Sequence, residues 1–297
     1  LNNVNYAGFF PTACETDTAE PIKDDLKIVA VDNVHLFLAT IATGKILPEL
    51  REETEKINSN MNFSFFLDET KGLLHGVFDL NTNKFHDYHD GALASETRLA
   101  AYAYMVQTGD YNYYNRLLRD IPSEYTDKDL DHREVRMLKH KPPYQTNGGN
   151  LFEDAMPTLF FSEELISSDW RLQHIEMIRA EREYAKRYSN GLWGHMPADN
   201  PGIGDYEYVV AGIPELAANS AHIESNVISP YASLLVTQIS PDKVCRNLRR
   251  FKQSYPDIHE HGRGCYDSVN VGTGKVSRRY LAINVGTGLV AVSNYSN

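Results

Sequence analysis

The sequence is poor in the features that would announce a compartment, a cofactor or a charged partner. Three cysteines stand among 297 residues. Cys14, Cys245 and Cys265 show no CxxC or other ligand spacing, and an odd count leaves at least one thiol unpaired within a monomer. Basic residues are in deficit, 29 Lys and Arg against 40 Asp and Glu, for a formal net charge of −11. A surface of that sign argues against a nucleic-acid partner, because phosphate binding needs a basic face. No apolar run reaches the roughly 18 residues that a membrane span requires. The first residues lack the basic stretch followed by an apolar segment that marks a targeting peptide, so none is expected here. No GxSxG, Walker or dinucleotide fingerprint occurs, and GTGKVS near position 272 lacks full phosphate-loop spacing. No cofactor is expected.

What the chain has in quantity is amphipathic helix. Val34, Leu38 and Ile41 recur on one face of a segment from Ala30 to Thr43. A second segment runs from Pro48 to Phe63, and Ser95 is placed to cap a third that carries Leu99, Tyr102, Ala103 and Val106. Segments 151–164, 168–188, 229–239, 241–254 and 284–292 follow. Two begin with Ser-Pro, serine as N-cap and proline in the first turn, at Ser229-Pro230 and Ser240-Pro241. Between them, 72–89 reads as a hairpin turned at Asn81-Thr82-Asn83. Residues 120–150 read as polar and irregular, and 190–220 as a long loop broken by glycine and proline. Loops of that length in a compact domain are usually functional. Paired helices with elaborated loops predict an all-α fold, an (α/α)6 toroid with a small β-hairpin, built as one domain over residues 1–297.

The loops concentrate chemistry suited to carbohydrate. Glycosidic cleavage needs two carboxyls, one protonated and one ionised. Glu96 opens an apolar helix in ALASETRLAAYAY, and Glu153 with Asp154 lies in NGGNLFEDAMPTLFF. An acid at a helix start also answers the helix dipole, but apolar neighbours on both sides of Glu153 would raise its pKa, as an acid catalyst requires. Asp267 in GCYDSVN is the reserve carboxylate, with Asp199 and Glu207 in the long loop. Trp193, Tyr206, Tyr208, Tyr231 and Tyr266 are candidate sugar platforms, with His195 beside the tryptophan. His86-Asp87-Tyr88-His89-Asp90 has the residue types of a metal site, but alternation along a strand splits them between two faces. No metal is expected.

At these motifs the chain resembles the bacterial glucoamylase-like (α/α)6 domain of endo-β-1,2-glucanases and cyclic β-1,2-glucan synthases. It also resembles a related uncharacterised bacterial family. VAVDNVHLFLA is similar to the family's VDSGNLA helix start, and ALASETRLAAY to LASEARLASF. NGGNLFEDAMPTLFF is similar to GGSLFEYLMPLL, YEYVVAGIPELA to YQYRAFGVPGLG, and ISPYASLL to VAPYASAL. GLWGHMPADN, MNFSFFLDETKGLLHGVFD and GRGCYDSVN fall in the same order. The resemblance implies a glycoside hydrolase or transglycosylase acting on a β-linked glucan or exopolysaccharide, periplasmic or extracellular. It implies Glu153 and Glu96 as the catalytic pair with Asp267 behind them. Asp32, Arg98, Trp193, His195, Tyr206, Tyr208, Tyr231 and Tyr266 would bind substrate. Two departures stand out. Relatives carry glutamate after Trp-Gly, where this chain has His195, and an Asp-Gln pair after Tyr-Leu, where it has Asn284 beyond Tyr280-Leu281. Two other functions therefore stay open: a silent polysaccharide-binding protein, and a uronate lyase using Arg98, His195 and Tyr206.

Overall fold

A computed structural model describes residues 8–18, 20–22, 26–90, 94–117 and 143–296. Most of the irregular segment expected over 120–150 lies outside these residues. Contacts gather into two compact units, Leu1–Leu93 with Thr97–Ile121, and Ala94–Glu96 with Pro122–Asn297.

The first unit begins with β1 (Lys27–Val29), which runs into α1 (Ala30–Ile46) and then α2 (Arg51–Asn60). α1 starts where the sequence predicts and buries Ala30, Asn33, Val34 and Phe37. Its close approach to α2 depends on Gly44, where a Cβ would meet Thr54 Oγ1 at 2.4 Å. Short strands follow: β2 (Leu67–Asp68), β3 (Leu73–His75), β4 (Val77–Asp79), β5 (Lys84–Phe85) and β6 (His89–Asp90). The predicted hairpin forms as β4–β5, with Asn83 in the left-handed region at φ 54°. Its first strand is cut at Gly76, so β3 pairs with β2 and β6 while β4 pairs with β1 and β5. The core is a phenylalanine cluster. Phe9 meets Phe63 edge-on with centroids 5.1 Å apart, and Phe37 meets Phe63 at 5.5 Å.

α3 (Arg98–Thr108) and α4 (Tyr111–Arg116) complete this unit. Ser95 does not cap α3. Thr97 occupies the N-cap without a side-chain bond, while the Ser95 hydroxyl turns to Glu96. Val106, expected inside, is half-exposed, and Met105 takes the buried position.

The second unit carries α5 (Leu151–Ala155), α6 (Ser168–Tyr188), strands β7 (Ala198–Asp199), β8 (Tyr208–Val209) and β9 (Val227–Ile228), α7 (Pro230–Leu235) and α8 (Pro241–Ser254). Then come β10 (His259–Glu260), β11 (Gly264–Cys265), β12 (Val269–Asn270), β13 (Lys275–Val276) and α9 (Ala282–Ser296). α5 is far shorter than the predicted 151–164. Pro157 has no N–H to return to the Glu153 carbonyl, so the chain tightens into a 3-10 turn over Met156–Leu159. α6 and α8 match their predicted bounds. Ser229 caps α7, its side chain accepting from the Tyr231 N–H. The strands make five small antiparallel sheets among the described residues, more β-structure than one hairpin. Cys14, Cys245 and Cys265 are free thiols.

Asn33 fastens the segment before β1 to α1. Its amide accepts from Phe10 N at 2.8 Å and donates to Phe10 O at 2.9 Å and Val29 O at 3.0 Å. Asn33→Ala removes all three bonds and leaves partly buried backbone groups unsatisfied. A loss of about 2 kcal/mol is expected, read as a lower urea midpoint at unchanged slope.

Candidate active site

Residues 146–153 wrap a carboxyl in backbone. Asn150 caps α5, its Oδ1 accepting from Glu153 N at 3.0 Å. Thr146 Oγ1 accepts from Gly149 N at 2.7 Å and Asn150 N at 3.2 Å, which closes the turn. Gly148 N then donates to Glu153 Oε2 at 2.7 Å. Both glycines are required by space. A Cβ on Gly148 would lie 2.6 Å from Val210 Cγ1 and 2.8 Å from Glu153 Oε1, and one on Gly149 would lie 2.2 Å from Ile213 O.

The enclosed Glu153 carboxyl is only 4% exposed. Burial pushes its pKa up, and the like charge of Glu96 pushes it further, to about 8. Bonds from Thr146, Gly148 and Asn150 pull the other way without reversing this. At neutral pH the protonated acid therefore predominates. Glu96 is half-buried, and Ser95 Oγ donates to its Oε2 at 2.5 Å.

Tyr208 links this pair to a third carboxyl. β8 pairs with β7 so that Tyr208 stands opposite Asp199. The Tyr208 phenol is raised by partial burial, then by the charge of Asp267, with smaller effects from Tyr206 and Glu96. Asp267 is fully buried, and burial lifts its carboxyl to about 6 against two stabilising bonds. Those bonds come from Asp199 N to Oδ2 at 2.8 Å and from Asn284 Nδ2 to Oδ1 at 2.7 Å. Asp199 itself accepts from Ser277 Oγ at 2.6 Å and Glu207 N at 3.1 Å, with Arg279 Nε 3.7 Å away. Tyr206 is half-exposed, its ring 5.1 Å from the Arg279 guanidinium. Segments 146–153, 193–208 and 265–270 are thus tied together within this unit. Phe85–Asp90 belongs to the other unit.

Several residues predicted to bind substrate are held elsewhere. Trp193 is 3% exposed and offers no open face, and Asn247 on α8 holds its backbone N–H and carbonyl. His195 is wholly buried. Its Nδ1 lies 2.9 Å from Glu181 Oε2 and its Nε2 3.1 Å from Ser225 O. Burial would lower its pKa, but the charge and hydrogen bond of Glu181 override this and raise it. Both ring nitrogens are engaged, so His195 is a structural imidazolium. Tyr231 is buried, its hydroxyl donating to Cys265 O at 2.5 Å. Tyr266 lies tilted beside Tyr280, centroids 5.1 Å apart, and both hydroxyls donate to Glu260. Arg98 is completely buried at the start of α3 in the first unit, where Asp32 is exposed in the first turn of α1.

Asp154, next to the candidate acid, points into a separate network. His174 stands between Asp154 Oδ2 at 2.9 Å and Glu163 Oε2 at 3.1 Å, and Gln173 Nε2 donates to Asp154 Oδ1 at 2.8 Å. A cavity of about 130 Å³ lies beside it, lined by Glu163, Arg171, His174 and Gln238 among others. Glu181 and His174 escaped the sequence reading. Their signal was their place in the buried stripe of α6, Trp170, Gln173, His174, Met177, Ile178, Glu181 and Ala185.

A family model described as putative glucoamylase matches residues 99–297, and the chain belongs to that family. It is 25% identical to the cyclic β-(1,2)-glucan synthase NdvB of Rhizobium meliloti over 97% of its own length, but spans only about 10% of that protein. Among solved structures it is similar to a putative glucoamylase from Bacteroides uniformis, with TM-score 0.64, 16% identity, and coverage of 99% of this chain and 72% of that one. It is also similar to the endo-β-1,2-glucanase of Talaromyces funiculosus in complex with sophorose. There the TM-score is 0.67 and the identity 15%, with 97% of this chain and 63% of that chain covered. At such identities the two structures show the fold, helical with small sheets.

The His174 network makes a stability prediction. Burial alone would lower the His174 pKa, but Asp154 and then Glu163 hold it up to about 9. A raised folded-state pKa contributes stability that is complete below the unfolded value, near 6.5, and is lost as pH rises through about 9. Urea midpoints of wild type should therefore fall across that window more steeply than those of His174→Gln. Parallel pH profiles for the two proteins would show that the imidazole is neutral in the fold.

Proposed function

We propose that this chain is the catalytic domain of a glycoside hydrolase or transglycosylase acting on a β-linked glucan, with β-1,2-glucan the first substrate to test. The reading places its helices in an (α/α)6 toroid, in a periplasmic or extracellular protein. The observation that carries it is the Glu153–Glu96 pair, a buried carboxyl held protonated beside a half-buried one. Support for the substrate class comes from family membership and from the names of the relatives, a β-1,2-glucan synthase and an endo-β-1,2-glucanase.

In this mechanism Glu153 gives its proton to the departing glycosidic oxygen as the bond from the anomeric carbon breaks. Glu96 acts as base or nucleophile. Water, or a sugar hydroxyl in transfer, supplies the new oxygen and returns a proton to the pair. Asp267 is the third acid within electrostatic reach through Tyr208, and Tyr206 and Tyr208 form the open aromatic platform. The lyase alternative loses its histidine base, since both nitrogens of His195 are engaged.

Reducing-end release from a panel of β-1,2-, β-1,3-, β-1,4- and α-1,4-glucans tests the class. Activity on the β-1,2 polymer is expected, and Glu153→Gln should lower turnover by about 10²-fold or more while binding is retained. An alkaline limb near pH 8 should report loss of the Glu153 proton. Binding without turnover in the wild type would leave a silent polysaccharide binder instead. Tyr208→Ala is expected to weaken oligosaccharide binding by about 1 kcal/mol, the value of one aromatic platform, as read by calorimetry.

A further inference from the structure

The sheet β2–β3–β6 in the first unit brings three metal-ligating side chains onto one face. His75 and His89 are a directly opposed cross-strand pair. Asp68 stands opposite Leu73, two residues before His75, and side chains two apart on a strand share a face. Register alone therefore points Asp68, His75 and His89 the same way. His89 Nε2 lies 2.9 Å and His75 Nε2 3.8 Å from the same oxygen, Asp68 Oδ2. All three ligand atoms lie within 4.8 Å of one another.

The outer contacts orient each group. Asp68 Oδ1 accepts from Thr70 N at 2.9 Å and Lys71 N at 3.2 Å, which leaves Oδ2 turned to the imidazoles. His75 Nδ1 donates to the His86 carbonyl at 3.1 Å, and its ring stacks on Phe85 with centroids 4.5 Å apart. A backbone carbonyl on the second nitrogen is the usual support of a ligating histidine, and it leaves Nε2 turned toward the carboxylate. The run His86–Asp90 was split between two faces in the sequence. Only His89 belongs here, while His86 turns to Asp79 at 3.8 Å.

We propose that Asp68, His75 and His89 form a zinc(II) site, with two imidazole Nε2 atoms, one carboxylate oxygen and solvent in the fourth position. Zinc bonds of about 2.0–2.1 Å set tetrahedral ligand atoms about 3.4 Å apart, so the present spacing closes with small side-chain shifts. His89 is 1% exposed, whereas the side chains of Asp68 and His75 are each 17% exposed and open the site to solvent. Paired imidazoles select zinc over magnesium or calcium, which prefer oxygen donors. The ion would clamp β2 to β3 and β6.

The test uses tag-free full-length chain, stripped with chelator and titrated with zinc chloride by calorimetry and against a chromophoric chelator. One zinc per chain is expected, together with a raised melting temperature. Asp68→Asn and His75→Ala should weaken binding about tenfold or more, His86→Ala should not, and magnesium and calcium should not compete. His75 is partly exposed, so its variant should fold, as circular dichroism can verify. Absence of stoichiometric binding, or zinc held equally well by His75→Ala and Asp68→Asn, would overturn the site and leave Asp68–His89 as a plain ion pair.

Discussion

Taking carboxyls out of water is the constraint around which the second unit is organised. A buried charge costs several kcal/mol unless it is paired or neutralised. Asp154 and Glu163 share His174, Glu181 is matched to His195, and Asp199 is held by Ser277 and backbone. Glu153 is answered differently. Its wrapping comes from neutral donors, and the charge that acts on it most is the like charge of Glu96. The other acids are answered by histidine, hydroxyl or backbone partners, whereas burial and a like charge favour the protonated form of Glu153.

Most of the helical frame was legible because local signals and burial agreed. α6 and α8 begin at Ser-led caps and carry apolar stripes, and both match their predicted bounds. Agreement fails where one residue overrides a periodic pattern. Pro157 sits in an apolar run that still scores as helix, yet it removes one ladder bond and ends α5. Gly76 splits an apparently continuous strand between two sheets because strand partners, not side-chain alternation, decide where a sheet ends. The extra short sheets were hidden for the same reason. Two-residue strands have too few alternations to stand out from a loop.

The burial of the Glu153 carboxyl was legible in the sequence, and the burial of Trp193 and Tyr231 was not. Glu153 and Glu96 were found because apolar neighbours around a carboxyl are visible in one dimension. Trp193 and His195 looked like a loop-borne sugar platform because both follow a glycine-broken stretch. What buries them is α6 and α8, through Glu181 and Asn247, residues distant in sequence. Polar residues within the α6 stripe were the available clue. A glutamate at a core position of an amphipathic helix needs a buried partner, and here that partner is His195.

The amide at position 284 bears on the electrostatics of Asp267. Asn284 donates to Asp267 and also to the Pro197 carbonyl. An aspartate there would face Asp267 with like charge in a dry environment and raise its pKa further. The amide does the opposite, holding Asp267 near 6 and fixing its orientation between Asn284 and the Asp199 N–H. With Oδ1 and Oδ2 both engaged, Asp267 is positioned rather than poised. At Glu153, by contrast, the like charge of Glu96 adds to burial and raises the carboxyl further.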